Sequence, residues 1–351
     1  MRVFCFIFVM CLSKIGFGKN NEDNYQRIRS TINATWYCDS ATFFLNANYL
    51  IKVTSHTTDY EYALHALWKI AQFHSKHDDY EQSLIAYKKA LQIARNFHDA
   101  ERTNLFSIRM KLVENLPHQK TVEQLLDLMK VAQKKRYILN LQQAHQQLAI
   151  VYTYYSVDLP KAMKHAMLAE TLAKENKWRD QEVLALNTLS GAEKYAGLIQ
   201  SSKKHMEKAL RICGRDPELG YYKMTIAYNL IDPCLRSNDF ESAATYKRLT
   251  SILAKKCHDK EFEMLIWISE SATQTLLKNY KTAIRYCDSI ILHQNSPYLI
   301  ENDPGAFIAR KGYCALMIND LATAKECYNQ LQQQPKINKS DPYTRLQVFN
   351  F

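Results

Sequence analysis

Turn-forming residues are scarce in this chain: glycine and proline number only 8 each in 351 residues. Sandwiches, barrels and loop-built catalytic scaffolds use such residues at every chain reversal. The shortage argues against them and favours helices joined by short connections. The phosphate-cradling patterns GxGxxG and GxxxxGKS/T do not occur, nor does the zinc-protease pattern HExxH. No CxxC spacing occurs among the nine cysteines to frame a metal or redox site. Cys5 and Cys11 lie in the N-terminal segment. The others, Cys38, Cys213, Cys234, Cys257, Cys287, Cys314 and Cys327, are odd in number and read as buried thiols acting as small hydrophobes. Cys314 and Cys327, on consecutive helices of one repeat, are the pair to test for a bridge.

The net charge is +11. Basic doublets at Lys134-Lys135, Lys203-Lys204 and Lys255-Lys256 are scattered along the chain. They read as solvated helix faces; the alternative is a surface that attracts acidic peptides or anionic lipid. At the N-terminus, Met1-Arg2 precedes an apolar run from Val3 to Leu12 that is too short to span a bilayer, and Gly16-Phe17-Gly18 supplies small residues for a signal peptidase. Cleavage after Gly18 and export are expected. The rival readings are a lipoprotein centred on Cys11, disfavoured by the bulky Met10, and an uncleaved anchor. No later run approaches the about 20 apolar residues of a membrane span, so the rest of the chain is expected to be soluble.

What the chain has in place of motifs is a beat. Tyr80, Val122, Leu159, Ile199, Phe240, Tyr280 and Leu321 recur at intervals of 42, 37, 40, 41, 40 and 41 residues. Three residues after each comes a mostly small side chain: Ser83, Leu125, Ala162, Ser202, Ala243, Ala283, Ala324. Acids or amides often stand just before it: Asp79, Asp158, Asp239, Asn279, Asp320. Ahead of Tyr80, the apolar positions Leu64, Leu67, Ile70 and Ala71 share one helix face, and after it Leu84, Tyr87, Leu91 and Ala94 form a second stripe. Neither helix buries its stripe alone, so each needs its partner and the next repeat. The expected fold is an all-α right-handed α-solenoid of antiparallel helix pairs. Pro233, inside one first helix, is expected to kink or break it.

These residues carry a resemblance to tetratricopeptide repeats. Small residues occupy the eighth position (Ala71, Ala149, Ser190, Ser271, Gly312) and the twentieth (Ser83, Ala162, Ser202, Ala243, Ala283, Ala324). Aromatics take the twenty-fourth (Tyr87, Tyr246, Tyr328), alanines the twenty-seventh (Ala90, Ala132, Ala169, Ala209), and Trp267 the fourth. The resemblance covers about residues 61–333. The period is nearer 40 than the usual 34, as in tetratricopeptide sensor and regulator proteins. Residues 19–60 read as a degenerate capping helix pair after a signal peptide at 1–18. Asp341-Pro342 repeats the helix-start signal of Asp303-Pro304, so residues 334–351 read as the start of a further, incomplete helix. Either the chain is a truncated form of a longer protein or this stub caps it.

The resemblance implies that the first helix of each pair faces a concave groove and that its fifth, ninth and twelfth positions reach ligand. The candidates so placed are Trp68, Gln72 and Ser75; Gln146 and Ile150; Asn187 and Lys194; Tyr228 and Asp232; Thr275; and Tyr313. Aromatic and amide side chains suit packing and backbone hydrogen bonding to a peptide; alternatively Trp68 and Tyr228 simply pack between repeats. The carboxylate clamp of chaperone-binding relatives, Lys at five and Asn at nine, is absent. His74 and His77 beside Asp78-Asp79 read as turn residues, with a metal site as the weaker alternative. No catalytic constellation and no cofactor or metal site is expected, nor direct nucleic-acid binding. The chain reads as a non-catalytic protein- or peptide-binding scaffold. By resemblance it is similar to the periplasmic sensor part of bacterial membrane-bound regulators, with a membrane-bound signalling partner. The alternative is a structural subunit of an envelope or secretion complex.

Overall fold

The computed structural model describes residues 21–114, 116–293 and 304–332. The leader with its expected cleavage after Gly18, Asp303, and the helix start at Asp341-Pro342 lie outside the described residues. Among those described, every regular element is a helix: α1 Asn21–Thr35, α2 Ser40–Thr54, α3 Tyr60–Lys76, α4 Tyr80–Asn96, α5 Ala100–Met110, α6 His118–Lys135, α7 Ile138–Tyr154, α8 Leu159–Glu175 and α9 Arg179–Tyr195. Then follow α10 Ile199–Cys213, a 3-10 turn Pro217–Leu219, α11 Gly220–Asn229, α12 Ile231–Arg236, α13 Phe240–Cys257, α14 Lys260–Leu276, α15 Tyr280–Leu292, α16 Pro304–Met317 and α17 Leu321–Gln332. Consecutive helices pack as pairs, α3 on α4, α7 on α8, α14 on α15 and α16 on α17. None is long and apolar enough to cross a membrane.

The beat marks helix starts. Tyr80, Leu159, Ile199, Phe240, Tyr280 and Leu321 are each the first residue of a helix. At four of these the preceding acid explains why. Asp79, Asp158, Asp239 and Asp320 each accept a hydrogen bond from the backbone N–H three residues on, at 3.1–3.2 Å, satisfying a donor that the helix itself leaves unpaired. Asp39, Asp99 and Asp259 do the same for α2, α5 and α14. Just upstream of such caps the backbone turns through the left-handed region without glycine, at Asp78 (φ 55°), His98 (54°), Val157 (51°) and His258 (53°). That is how so glycine-poor a chain reverses so often. Val122 is the exception: α6 begins four residues earlier behind Pro117, whose side chain cannot cap.

Small residues set the helix crossings. Ala71 and Ala90 are wholly buried between α3 and α4, with Leu64, Leu67, Tyr87, Leu91 and Phe106 around them. Small side chains there let the two helices approach closely. Farther on, Ile108, Leu125, Ala144, Leu148, Ala162 and Ala192 join α5 through α9 into one continuous core. At the front, α1 and α2 share a core of Ile32, Trp36, Phe43 and Leu50 with Ala66 of α3. Pro233 does break its helix: the chain passes through a turn at Leu230 between α11 and α12, since proline cannot supply the amide the preceding turn needs.

The chain divides into two compact units, one formed by Met1–Ala192 with Cys213–Tyr221 and the other by Glu193–Ile212 with Tyr222–Phe351. In the first, segment 217–221 returns to α1. Asn33 Nδ2 donates to Glu218 Oε2 at 2.8 Å, and the rings of Trp36 and Tyr221 lie 4.7 Å apart. Gly220 lets the Tyr37 ring lie against the backbone here; a Cβ would meet its hydroxyl and force the ring to shift. The second unit has its own cores, around Ile231, Cys234 and Ala243, around Met264, Ile290 and Phe307, and around Ile308, Cys327 and Leu331. Cys314 and Cys327 are both free, buried thiols, not a bridge; burial raises the pKa of each.

Candidate functional site

In the first unit, α1, α3, α5 and the N-terminal end of α9 surround a cavity of about 460 Å³. Its wall includes Arg29, His65, Trp68, Arg102, Arg109, Asp180 and Gln181. That volume lies within the usual range for ligand sites, but the lining is more polar and more charged than most.

The centre of the wall is Trp68. The Arg109 guanidinium carbon sits 4.0 Å from the centre of its ring, and the Lys69 ammonium 4.5 Å. Lys69 also lies 5.2 Å from the centre of the Trp36 ring. Indole faces attract cations, and the attraction grows when water is excluded. Lys69 is only 4 % exposed. Burial, with Arg109 and Arg29 nearby, pulls its pKa down to about 8, while Asp180 and Glu218 oppose the shift. His65 is driven well below its ordinary value by burial and by the cations Arg29, Lys69 and Arg109. It is therefore neutral, and its Nε2 lies 2.9 Å from Asn33 Oδ1. The Asn33 amide nitrogen is already donating to Glu218, which makes His65 Nε2 the donor.

From Arg109 a ladder of amides runs across the first helices of successive pairs. Arg109 Nε donates to Gln143 Oε1 at 3.1 Å, and Gln143 Nε2 donates to Gln142 Oε1 and to Gln181 Oε1, at 2.8 and 2.5 Å. Gln181 Nε2 donates on to Asp180 at 2.8 Å. Parallel rungs join Asn140 to Asn104 at 2.8 Å and Gln146 to Thr188 at 2.5 Å. Buried amides are costly unless paired, and this row still leaves Gln142 Nε2, Gln146 Oε1 and Asn140 Oδ1 without a protein partner.

The residues singled out from the sequence fall in different settings. Trp68 lines the cavity. Gln72 has a buried oxygen with no partner. Ser75 turns to the second helix of its own pair, its hydroxyl 2.8 Å from that of Ser83. Gln146 is buried in the ladder, while Ile150 and Asn187 are half-buried on α7 and α9. In the second unit, Lys194 lies 3.7 Å from Asp232, and Asp232 accepts both bonds from Arg236 Nε at 3.1 Å. Tyr228 packs edge-on to Phe262, and burial pushes its hydroxyl up to about 12. Thr275 faces Cys314 Sγ at 3.5 Å, and Tyr313 is exposed beside Tyr280. His74 contacts Asp79, which serves as a helix cap. No group of three or more potential metal ligands occurs among the described residues.

Lys69, Arg109 and Gln143 were not among the sequence candidates. Lys69 stands one place after the ligand-reaching fifth position. Arg109 belongs to α5, a short first helix whose neighbourhood has no small-residue anchor. The available signal was the run Gln142-Gln143 and Gln146-Gln147, paired amides at helical spacing inside an otherwise apolar helix.

No protein-family profile matches the chain, and no curated protein matches it. Solved structures do. A Rap protein complexed with competence and sporulation factor superposes with a TM-score of 0.60 at 11% identity, covering 97% of this chain and 90% of that one. NprR in complex with its cognate peptide NprX gives 0.55 at 13%, covering 98% and 92%. A signal-transduction ATPase with a tetratricopeptide repeat sensor from Pyrococcus horikoshii gives 0.59 at 14%, covering 88% of this chain and 48% of that one. At these identities the likeness is one of fold. It places the chain in the class of all-α, right-handed solenoids of tetratricopeptide-like helix pairs.

Proposed function

We propose that this chain is a non-catalytic peptide receptor that holds its ligand in the cavity of the first unit and serves as the sensor part of a signalling or transcription regulator. The amide ladder beside that cavity carries the reading. Its rungs fix the first helices of three successive pairs, and its members Arg109, Asp180 and Gln181 reach the cavity wall, where they present hydrogen-bonding groups to a peptide backbone. Trp68 supplies a rigid aromatic anchor of the kind that dominates such interfaces. Structures of similar fold include a Rap protein with competence and sporulation factor and NprR with its peptide NprX, which supports a peptide as the ligand class. The test is selection from a random peptide library on the full chain, repeated with Trp68→Ala. Enriched sequences should bind the wild type and lose at least about tenfold in affinity for the variant. Equal affinity for both would move the site elsewhere.

A further inference from the structure

The cavity of the first unit carries unlike charges at its two ends. Three first helices line it, and each presents residues seven apart: Glu22 and Arg29 on α1, Glu61 and Trp68 on α3, Arg102 and Arg109 on α5. Seven residues of helix rise about 10.5 Å, which sets the span of the wall. The three helices run in the same direction. Arg102 meets Glu61 at 2.6 Å and Arg109 stacks on Trp68 at 4.0 Å, so one register holds α3 and α5 at both ends. Between α1 and α3, the Tyr25 and Tyr62 rings lie 5.3 Å apart near the helix starts, and Asn33 meets His65 farther along.

The end at the helix starts is acidic. Glu22, Asp59 and Glu61 line it, and Arg102 among them is taken by Glu61. Asp59 stands where other aspartates cap their helices, yet its carboxylate makes no cap bond. Burial and then Glu22, with Asp59, raise the pKa of the Tyr62 phenol there, against the pull of Arg29. The opposite end is cationic. Arg29 and Arg109 line it, and burial followed by Arg29, Lys69 and Arg109 lowers the pKa of His65. Asp180, which also lines the wall and acts on Lys69, accepts from Gln181. It offsets one of these three charges and leaves the end positive.

We propose that this polarity fixes the direction of the bound peptide: its free N-terminal ammonium lies against Glu22 and Asp59, and a carboxylate about three residues on lies against Arg29 and Arg109. The assignment rests on the peptide-receptor reading and deepens it. An extended chain advances about 3.3–3.6 Å per residue, so three residues match the about 10.5 Å span. The reverse direction would set each charged group against its own sign, which costs affinity in a walled site. The carboxylate is either the C-terminus or an acidic side chain; the chemistry at the two arginines is the same.

The probes are peptides enriched on the full chain from a soluble synthetic library with both termini free. Each is resynthesised with the N-terminus acetylated, with the C-terminus amidated, or with Asp and Glu replaced by Asn and Gln. Acetylation should weaken binding to the wild type about fivefold or more, and so should one of the two carboxylate neutralisations. Loss on amidation identifies the C-terminus, and loss on side-chain replacement identifies an acidic residue. Receptor variants then assign the ends by coupling. Glu22→Gln combined with Asp59→Asn should bind free and acetylated peptides alike and keep the preference for the carboxylate. Arg29→Gln should shrink the carboxylate preference and keep that for the free amine. All three side chains are exposed, and circular dichroism checks that the variants fold. If the acetylation loss disappears in Arg29→Gln and persists in the acidic-end variant, the direction is reversed and the assignment is overturned. If no neutralisation changes affinity while Trp68→Ala still weakens binding, the assignment is overturned and the peptide-receptor reading stands. If the library yields no binder, the receptor reading itself fails, and the direction with it.

Discussion

Among the described residues each unit buries one lysine, and the two are treated in opposite ways. In the second unit, Lys247 is 8 % exposed and fully provided for: its ammonium meets Glu270 at 2.8 Å and Thr273 Oγ1 at 3.3 Å. Its neighbours in that unit follow the same rule, Lys203 with Asp239 at 2.6 Å and Lys311 with Asp288 at 2.8 Å. In the first unit, Lys69 is buried more deeply and is given two aromatic rings and no acceptor. A repeat array can therefore satisfy a buried cation with its own residues and does so repeatedly. At Lys69 it does not, and the indole faces of Trp36 and Trp68 stand where a carboxylate would.

The comparison can be broken or sharpened by experiment. The largest effect is expected in the second unit. Glu270→Gln strands the Lys247 charge and should cost about 2–3 kcal/mol of stability in denaturant unfolding; a loss below about half a kcal/mol would mean that Lys247 is not held by this pair. Next, Gly220→Ala forces a methyl against Tyr37, where 217–221 returns to α1, and should cost about 1–3 kcal/mol. That loss belongs to the first unit, and peptide affinity should drop with it.

Acid should also act on the first unit first. His145 and His165 lie Nδ1 to Nδ1 at 2.8 Å, an arrangement that holds one shared proton and no second charge. Burial and the neighbouring positive groups lower both pKa values, that of His145 from 6.5 to about 4. Between those values the unfolded chain binds more protons than the folded one. Stability is thus fully present above pH 6.5 and is lost as pH falls toward 4, at no more than about 1.4 kcal/mol per pH unit for each proton taken up. His145→Gln should flatten that slope; an unchanged slope would assign the acid sensitivity elsewhere.

Two smaller effects run in the stabilising direction. Lys69→Met should leave stability unchanged or raise it by about 1 kcal/mol, the reverse of the result at Glu270, because a hydrophobic replacement removes an unpaired buried charge. Val157→Asn should add about 0.5–1 kcal/mol, since a β-branched residue at φ 51° is strained where asparagine is tolerated. Thermal melts of the two variants beside wild type would check both signs.

Much of the architecture was readable from residue order. An acid followed by an apolar residue every 40 or so positions marks a helix start because the acid caps it, and the pattern fails at Val122, where Pro117 replaces the acid. The site was less legible. Trp68, placed by the repeat, lines the cavity, but Ser75, placed by the same rule, faces Ser83, because at the helix end the groove face and the pair face converge. Lys69 could not be told from a solvated lysine in one dimension. Its ammonium rests against Trp36, more than thirty residues earlier, and Glu218 of the returning segment acts on it from a distance. Contacts that long in sequence leave no periodic trace.

The most direct test of the account is where a selected peptide protects the backbone from hydrogen exchange. The account predicts slowed exchange in α3, α5 and the first turns of α9, whose residues line the cavity, with Trp68→Ala reducing that protection. Protection confined to α13–α17, with α3 and α5 exchanging as in the free chain, would contradict it.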